Sequence, residues 1–594
     1  MEACTKKLDN INTDPNQFST ASPESILQYA TKATGDFLAN GNMDYFWSMA
    51  HQITVVGGSS KYSPGSDGQW QTLYVNILEN LKQITVLYGE NPAFANRVQI
   101  AHIWQSYVWS ILVSIYGPVA VSNANNPAAG TSVVLFDTED SVYMNVLNTL
   151  KDAASKIDLA KDKYTYDVVY GGDLLKWKKF ANTLRLRIAL QCQRNLKEVA
   201  NKHISEVMLD EANTISSEAE TAKMNYENVI GNQSPYYQRY VLNVFTSDIA
   251  PKMSDFMFVH FRSYKDPRLA VYFDPVALVA GANPAINRVV INDTLSSSAD
   301  DSLRIVSYPL PYAGEPKSTA VLAGWTNLNA SINAGAVNAI GNAQLIAYSD
   351  PVGLAAKGGI FAPTKPFVFM SYGEACFLKA EAKQLGLGGG QSAEAYYNAG
   401  IDANFAFWKL TATQLATYKN TNGIKFGTVG TGFSNYLGIV NTSIPLDDMA
   451  KIWIQRWINY YPDGAFDTWC LQRRTNVLDL PPHTGTNNTY NGALYATLPG
   501  RWRYPTTMLS LNPQGYTDAL AKLGSLGVSP AGTDYDAQIT LKFAAPVVNK
   551  DWNSVNATYD ARYVQKWYGT TIEQLRQAAL SVGFTPVVLK TYKP

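Results

Sequence analysis

Charge is what this 594-residue chain has least of. Asp, Glu, Lys and Arg make up 16% of it, against roughly a quarter in an ordinary globular domain. Lys plus Arg and Asp plus Glu number 48 each, so the formal net charge is zero. No overall field draws such a chain to nucleic acid or to acidic substrates, and no nucleic-acid partner is expected. Cysteine and histidine are scarce too. Cys4, Cys192, Cys376 and Cys470, with five histidines, form no CxxC pair, no HExxH and no zinc-like spacing, so neither a metal nor another cofactor is expected. A GxSxG elbow and a Walker A loop are missing. GLGGGQ at 386–391 lacks the third glycine of a dinucleotide fingerprint and follows a helical stretch. No run of about 18 apolar residues occurs, so nothing reads as a membrane-spanning helix.

Aromatic residues are abundant: 36 Tyr, 22 Phe and 13 Trp. Rings with a polar tip pack on one side and face water on the other, which suits a surface that stacks on sugars or grips peptides. A large helical core would use them equally well.

Periodicity places most of the first 214 residues in helices. Ser22-Pro23-Glu24 starts one that runs to about Leu38 with Ile26, Leu27, Ala30 and Ala33 inward. A second is expected near 43–52. A Gly/Ser/Pro loop follows at 54–69, then a helix carrying Leu73, Ile77, Leu81, Ile84 and Leu87. Helices at 97–116, stopped by Gly117-Pro118, and at 139–159 come next. In 167–194, DVVYGGDLLKWKKFANTLRLRIALQCQR, a YGGD turn feeds a long helix with Asp173 as its cap. Leu174, Trp177, Ala181, Leu184 and Ile188 share one face, which predicts a packed helix with a cationic outer side formed by Lys176, Lys178, Lys179, Arg185 and Arg187. A further helix is expected at 197–212. Helices return at 368–386, where Ser371 and Glu374 predict a capping box ended by Gly386, and then at about 392–408 and 446–474. Between 215 and 365 helical periodicity fades while Gly, Pro, Asn and Ser rise.

Loops of that kind carry function. Tyr308, Tyr312 and Trp325 cluster in the 305–330 loop, and Trp70 follows the 54–69 loop. These four are the expected ligand-binding residues, since flat rings stack on the C–H faces of sugars. Asp463 and Asp467 could mimic a catalytic acid/base pair, but ion pairing with Arg473 or Arg474 at a helix end is the expected role. No catalytic residue is expected.

Four blocks carry a family resemblance. They are GGD followed by WKKFANTLRLRIA, SYGEACFLKAEA with its partner AEAYYNAGI, IWIQRWINYYPDGAFDTWCLQRR, and PGRWRYPTTMLSLNP. In this order they closely resemble the SusD/RagB-like nutrient-binding outer-membrane lipoproteins of Bacteroidota. YGPVAV at 116–121 matches the family's YGDVPY only in part, and Thr507 stands where the family often has an acid. The resemblance implies a mostly α fold: a superhelical scaffold of four tetratricopeptide-like helix pairs with a loop-rich irregular subdomain packed on it. The scaffold would comprise 22–214 and 366–474, and the loop-rich, ligand-facing parts 215–365 and 475–594, as a single domain after an extended leader at 1–21. It also implies lipidation at Cys4, which heads a polar leader where a core thiol makes little sense, and a place on the outside of the outer membrane. The implied work is non-enzymatic: capture of oligosaccharides and delivery to a SusC-like TonB-dependent transporter. Peptide binding within the same family and a helical-toroid glycoside hydrolase are the two other readings.

Overall fold

The expected helices are present in the computed structural model, which describes residues 21–55, 67–124, 133–242, 251–275, 289–294, 303–308, 312, 349–354, 356, 358–428, 447–478, 489–490, 493–494, 501–502, 504–523 and 587–592. The hydroxyl of Ser22 accepts the Ser25 amide at 3.2 Å and opens α1 (Pro23–Gly41). Ile26, Leu27 and Ala30 are buried as expected, whereas Ala33 is only partly so. A π-helical turn at Asn42–Phe46 and a short turn at Trp47–Met49 continue α1, in place of the separate helix expected at 43–52. A second π-helical stretch, Thr72–Glu79, leads into α2 (Asn80–Tyr88). Leu73, Ile77, Leu81 and Ile84 point inward, but Leu87 is exposed. The wider π turns shift the phase of the stripe.

The helices that follow are α3 (Ala95–Tyr116), α4 (Glu139–Lys156), α5 (Leu174–Cys192), α6 (Lys197–Leu209) and α7 (Asp255–Ser263). After these come α8 (Tyr372–Gln384), α9 (Ala393–Phe407), α10 (Ala412–Lys419), α11 (Asp448–Asn459), α12 (Ala465–Thr475) and α13 (Pro513–Leu523). Chain neighbours pack on one another from α2 to α6, α8 packs on α9 and α11, and α5 also touches α8 and α12. The single helix expected over 446–474 is two, α11 and α12, parted by the turn at Tyr460–Gly464.

α5 sits at the centre. Asp173 caps it by accepting the Lys176 amide at 3.1 Å, and its five predicted apolar residues are all buried. The expected cationic outer side is corrected: Lys179, Arg185 and Arg187 are buried as well. Helices cover α5 on several sides, so each cation takes an internal partner. Lys179 pairs with Glu220 at 2.5 Å, Arg185 with Glu206, and Arg187 with Glu374 at 2.6 Å. The capping box at α8 is only half formed. Ser371 accepts the Glu374 amide at 3.1 Å, but the Glu374 carboxylate turns to Arg187 instead of back to Ser371.

Short strands were not expected. Those of three or more residues are β1 (Ile53–Val55), β2 (Ala222–Met224), β3 (Pro251–Met253), β4 (Val289–Thr294), β5 (Leu303–Tyr308), β6 (Phe367–Met370) and β7 (Val587–Tyr592). All pairings are antiparallel: β1 with β3, β2 with β6, β4–β5–β7 in a row, and the two-residue strands Thr489–Tyr490 and Ala493–Leu494 with each other. The stretch expected to be helical from 368 therefore begins as β6. The two helical regions share one core. Asn42 Nδ2 donates to the Asp463 carbonyl and Trp47 Nε1 to the Pro462 carbonyl, both at 2.7 Å, which ties α1 to the α11–α12 turn. Cys192, Cys376 and Cys470 are buried free thiols, as their apolar settings predicted.

Candidate functional site: an aromatic pocket on the first helix

One face of α1 carries Tyr29, Lys32, Ala33, Asp36, Phe37 and Asn40, three or four residues apart and so in one stripe. With Asp44, Tyr45, Gln69, Thr72 and Trp502, this stripe lines a pocket of about 540 Å³. That volume lies within the roughly 300–1,000 Å³ typical of small-ligand sites. Trp502 backs the pocket with its ring fully buried. Its backbone amide donates to the Ile115 carbonyl at 2.8 Å, which pins it to the end of α3. Its ring stacks on Phe46 at 5.3 Å, and Tyr45 meets it edge-on at 5.1 Å. The indole N–H of Trp502 has no acceptor among the described residues. Tyr29 is half-exposed and presents a ring to solvent.

The charges around the pocket are already matched. Lys32 donates to Asp36 at 2.5 Å, the Tyr226 hydroxyl donates to the other Asp36 oxygen at 2.8 Å, and Asp44 pairs with Arg239 at 2.6 Å. Burial, and then the Asp44 charge, raises the pKa of the Tyr45 phenol, which keeps it a neutral donor. The pocket therefore offers flat rings, amides and hydroxyls. Such a lining can stack on the apolar face of a sugar ring and bond its hydroxyls.

The residues singled out from the sequence fall elsewhere. Trp70 is half-buried beside Gln69 and packs on Tyr74 at 4.6 Å, Tyr116 at 4.9 Å and Phe136 at 5.9 Å; it is not part of the pocket lining. Tyr312 is half-buried, and burial followed by the Asp274 charge raises the pKa of its phenol. Tyr308 ends β5 opposite Val289. The side chain of Tyr308, together with Trp325 and Cys4, lies outside the described residues. Sequence reading passed over Tyr29, Tyr45 and Trp502 because helical periodicity assigns rings to the core. The signal available was the mixed stripe of Tyr29, Lys32, Asp36 and Asn40 on one helix face.

Asp463 and Asp467 do not share a helix face. Asp463 precedes α12 and is held by Lys365, the Tyr236 hydroxyl at 3.1 Å and the Val368 amide at 3.1 Å. Asp467 lies 3.4 Å from Arg187 Nη1. The expected pairing with Arg473 or Arg474 is corrected: Arg473 lies over the Trp469 ring at 3.5 Å, and Arg474 pairs with Glu381 at 2.6 Å.

The family described as SusD-like, "Starch-binding associating with outer membrane", matches residues 15–305 and 321–505. The chain belongs to this family. Its mostly helical fold is shared with solved SusD-like proteins. A Bacteroidetes SusD-like protein aligns with a TM-score of 0.65 at 19% identity, covering 88% of this chain and 100% of its own. A chitin-binding SusD homologue from Flavobacterium johnsoniae aligns with a TM-score of 0.63 at 19% identity, covering 88% and 97%. A SusD homologue from Bacteroides uniformis gives 0.60 at 18% identity, covering 88% and 99%. A search of the curated proteins finds no match. Among the described residues of this SusD-like chain, no helix is long and apolar enough to cross a membrane.

Proposed function

We propose that this SusD-like protein binds oligosaccharides at the outer face of the outer membrane, without cleaving them, and passes them to a SusC-like TonB-dependent transporter. The observation that carries the binding step is the pocket on α1, where the rings of Tyr29 and Tyr45 stand beside amides, a hydroxyl and charges already paired within the protein. The family description speaks of starch, and the Flavobacterium neighbour is described as chitin-binding; both are polymers of pyranose sugars whose rings have apolar faces suited to stacking. Retention at the membrane would come from acyl chains on Cys4, and delivery would gain from the high local concentration that tethering gives. Trp70, Tyr308, Tyr312 and Trp325 are proposed as a further aromatic surface for longer ligands.

Calorimetry against starch and chitin oligosaccharides tests the binding step. The Tyr29→Ala, Tyr45→Ala double variant should lose binding, and a Tyr308→Ala, Trp325→Ala variant should lose it only for the longer oligomers. Full affinity in a folded Tyr29→Ala, Tyr45→Ala protein removes the pocket from the proposal. Co-purification with a barrel transporter, and its loss in Cys4→Ala, tests delivery and anchoring. Shortened oligosaccharides after incubation would replace binding with hydrolysis.

A further inference from the structure

One end of the helix bundle brings together the starts of α1, α3 and α5 and the ends of α2 and α4. The Tyr88 hydroxyl, which closes α2, donates to the Ala21 carbonyl at 3.2 Å, just ahead of α1. Arg97, in the first turn of α3, pairs with Glu24 of α1 at 2.9 Å. Asn96 Nδ2 donates to the Asp158 and Asp162 carbonyls at 2.7 and 2.8 Å, and the Tyr164 hydroxyl donates to the Arg97 carbonyl at 3.1 Å. These bonds seat the loop after α4 on the same end. The YGGD turn before α5 lies against the Tyr164 carbonyl. Exposed apolar side chains gather here: Val86, Leu87, Leu159, Tyr166 and Leu175 are 41–63% exposed. A lone exposed leucine is ordinary. Five such side chains on neighbouring segments at one end make a face.

Charge does not organise this face. Arg97 is paired with Glu24, and Lys161 lies 3.7 Å from Asp158. An occupant therefore has to offer apolar contact across a broad surface that also accepts polar groups, as the boundary between lipid headgroups and acyl chains does. Leucine and valine dip into that layer, and tyrosine settles there with its hydroxyl among the headgroups. The course of the chain selects this end over the other. Ala21 lies 17 residues after Cys4, so the two are at most about 60 Å apart. A bilayer at the opposite end would make that connection run back along α3, whose 22 residues span about 33 Å, more than half of the reach.

We propose that this end of the bundle rests on a lipid surface through Val86, Leu87, Leu159, Tyr166 and Leu175; its choice over the opposite end rests on the reading of Cys4 as an acylated anchor. A tether alone leaves the body free to turn, and this second contact fixes its tilt. α1 then rises from the lipid. The pocket lining runs along it from Tyr29 to Asp44, away from the surface, so the oligosaccharide site opens above the membrane.

The full-length Cys4→Ala protein, which has no thiol to acylate at that position, tests the face apart from the anchor. It should sediment with sucrose-loaded phosphatidylcholine vesicles, half bound at about 1 mM lipid, an affinity about tenfold below that of a single myristoyl chain. Binding should persist in about 500 mM NaCl, because salt screens charges and not apolar contact. In the same background, the Leu159→Ser, Tyr166→Ser, Leu175→Ser variant should bind at least about tenfold more weakly, having lost three apolar side chains; such exposed positions take serine without unfolding the protein. Leu511→Ser is the control. Leu511 is 77% exposed and follows the segment whose Trp502 amide is bonded to Ile115 at the far end of α3, so its loss should leave vesicle binding unchanged. No sedimentation of the Cys4→Ala protein, full binding by the triple variant, an equal loss in Leu511→Ser, or release by NaCl overturns the face. Mass spectrometry of the parent protein reads the anchor separately: a bare Cys4 would remove the anchor and leave the vesicle result standing.

Discussion

Arg187 and Glu374 lie 187 residues apart in the chain and form a two-pronged ion pair, with Nε–Oε1 and Nη2–Oε2 both at 2.6 Å. Both are almost fully buried, and Arg187 also donates to the Phe369 carbonyl at 2.8 Å. The pair joins α5 to α8 and β6. Removing one partner leaves a buried charge without its match, which costs about 3–5 kcal/mol. Asp467 stays near Arg187, so Glu374→Gln should fall at the low end of that range, about 3 kcal/mol. Arg187→Met should cost at least as much, and the two changes together less than their sum. Urea unfolding of the two single variants and the double variant measures this; additive losses would show that the pair is not coupled.

The YGGD turn before α5 gives a sharper test, because its two glycines differ. Gly171 has φ +62° and nothing within 4 Å of where a Cβ would stand. Gly172 has φ +82°, and its Cβ would meet the Tyr164 carbonyl oxygen at 2.1 Å. Gly171→Ala pays only left-handed strain, about 1–2 kcal/mol. Gly172→Ala must also push backbone aside, and its loss should exceed about 3 kcal/mol. Equal thermal shifts in the two variants would contradict the geometry.

These two sites show what was legible in the sequence. Asp173 as a cap, the apolar stripe of α5 and the stops at Gly117 and Gly386 are local, and local spacing reports them. The partner of Arg187 is not local. Whether a lysine or arginine faces water or a carboxylate 187 residues away depends on which helices cover it, so the outer side expected for α5 proved to be interior. The same limit hid β1–β3 and β2–β6: three- and four-residue strands paired across more than a hundred residues leave no periodic trace. It also explains the pocket. Trp502 meets Tyr45 only because its amide is bonded to the Ile115 carbonyl near the end of α3, and no spacing rule connects residues so far apart.

Arg185 and His203 give a pH prediction. Arg185 Nε donates to His203 Nδ1 at 2.7 Å, so that nitrogen must be unprotonated. Burial, then the Arg185 charge, pushes the imidazole down to about 4 from its ordinary 6.5. A base lowered in the folded state binds fewer protons there than when unfolded. Stability is therefore unaffected above pH 6.5 and falls as pH drops from 6.5 toward 4. His203→Gln keeps an acceptor for Arg185 and cannot titrate. Its melting temperature should hold up better than that of the parent between pH 7 and pH 5, with the gap closing above 7. Parallel melting curves for the two proteins over that range would count against the neutral imidazole.

The α1 pocket predicts how ligand binding responds to salt. Lys32 is matched by Asp36, and Asp44 by Arg239, before any ligand arrives. An uncharged oligosaccharide then meets rings and neutral donors, and raising NaCl from about 50 to 500 mM, which shortens the Debye length severalfold, should change Kd less than about twofold. Tyr29 is half-exposed, so Tyr29→Ala should alter stability by no more than about 0.5 kcal/mol. Losing its ring from a sugar-stacking wall should weaken binding by about 1 kcal/mol, or roughly fivefold. Calorimetry of both proteins at the two salt concentrations separates the contributions. A steep salt dependence would mean that Asp36 or Asp44 meets the ligand as a free charge, and an unchanged Kd in Tyr29→Ala would move the stacking surface away from α1.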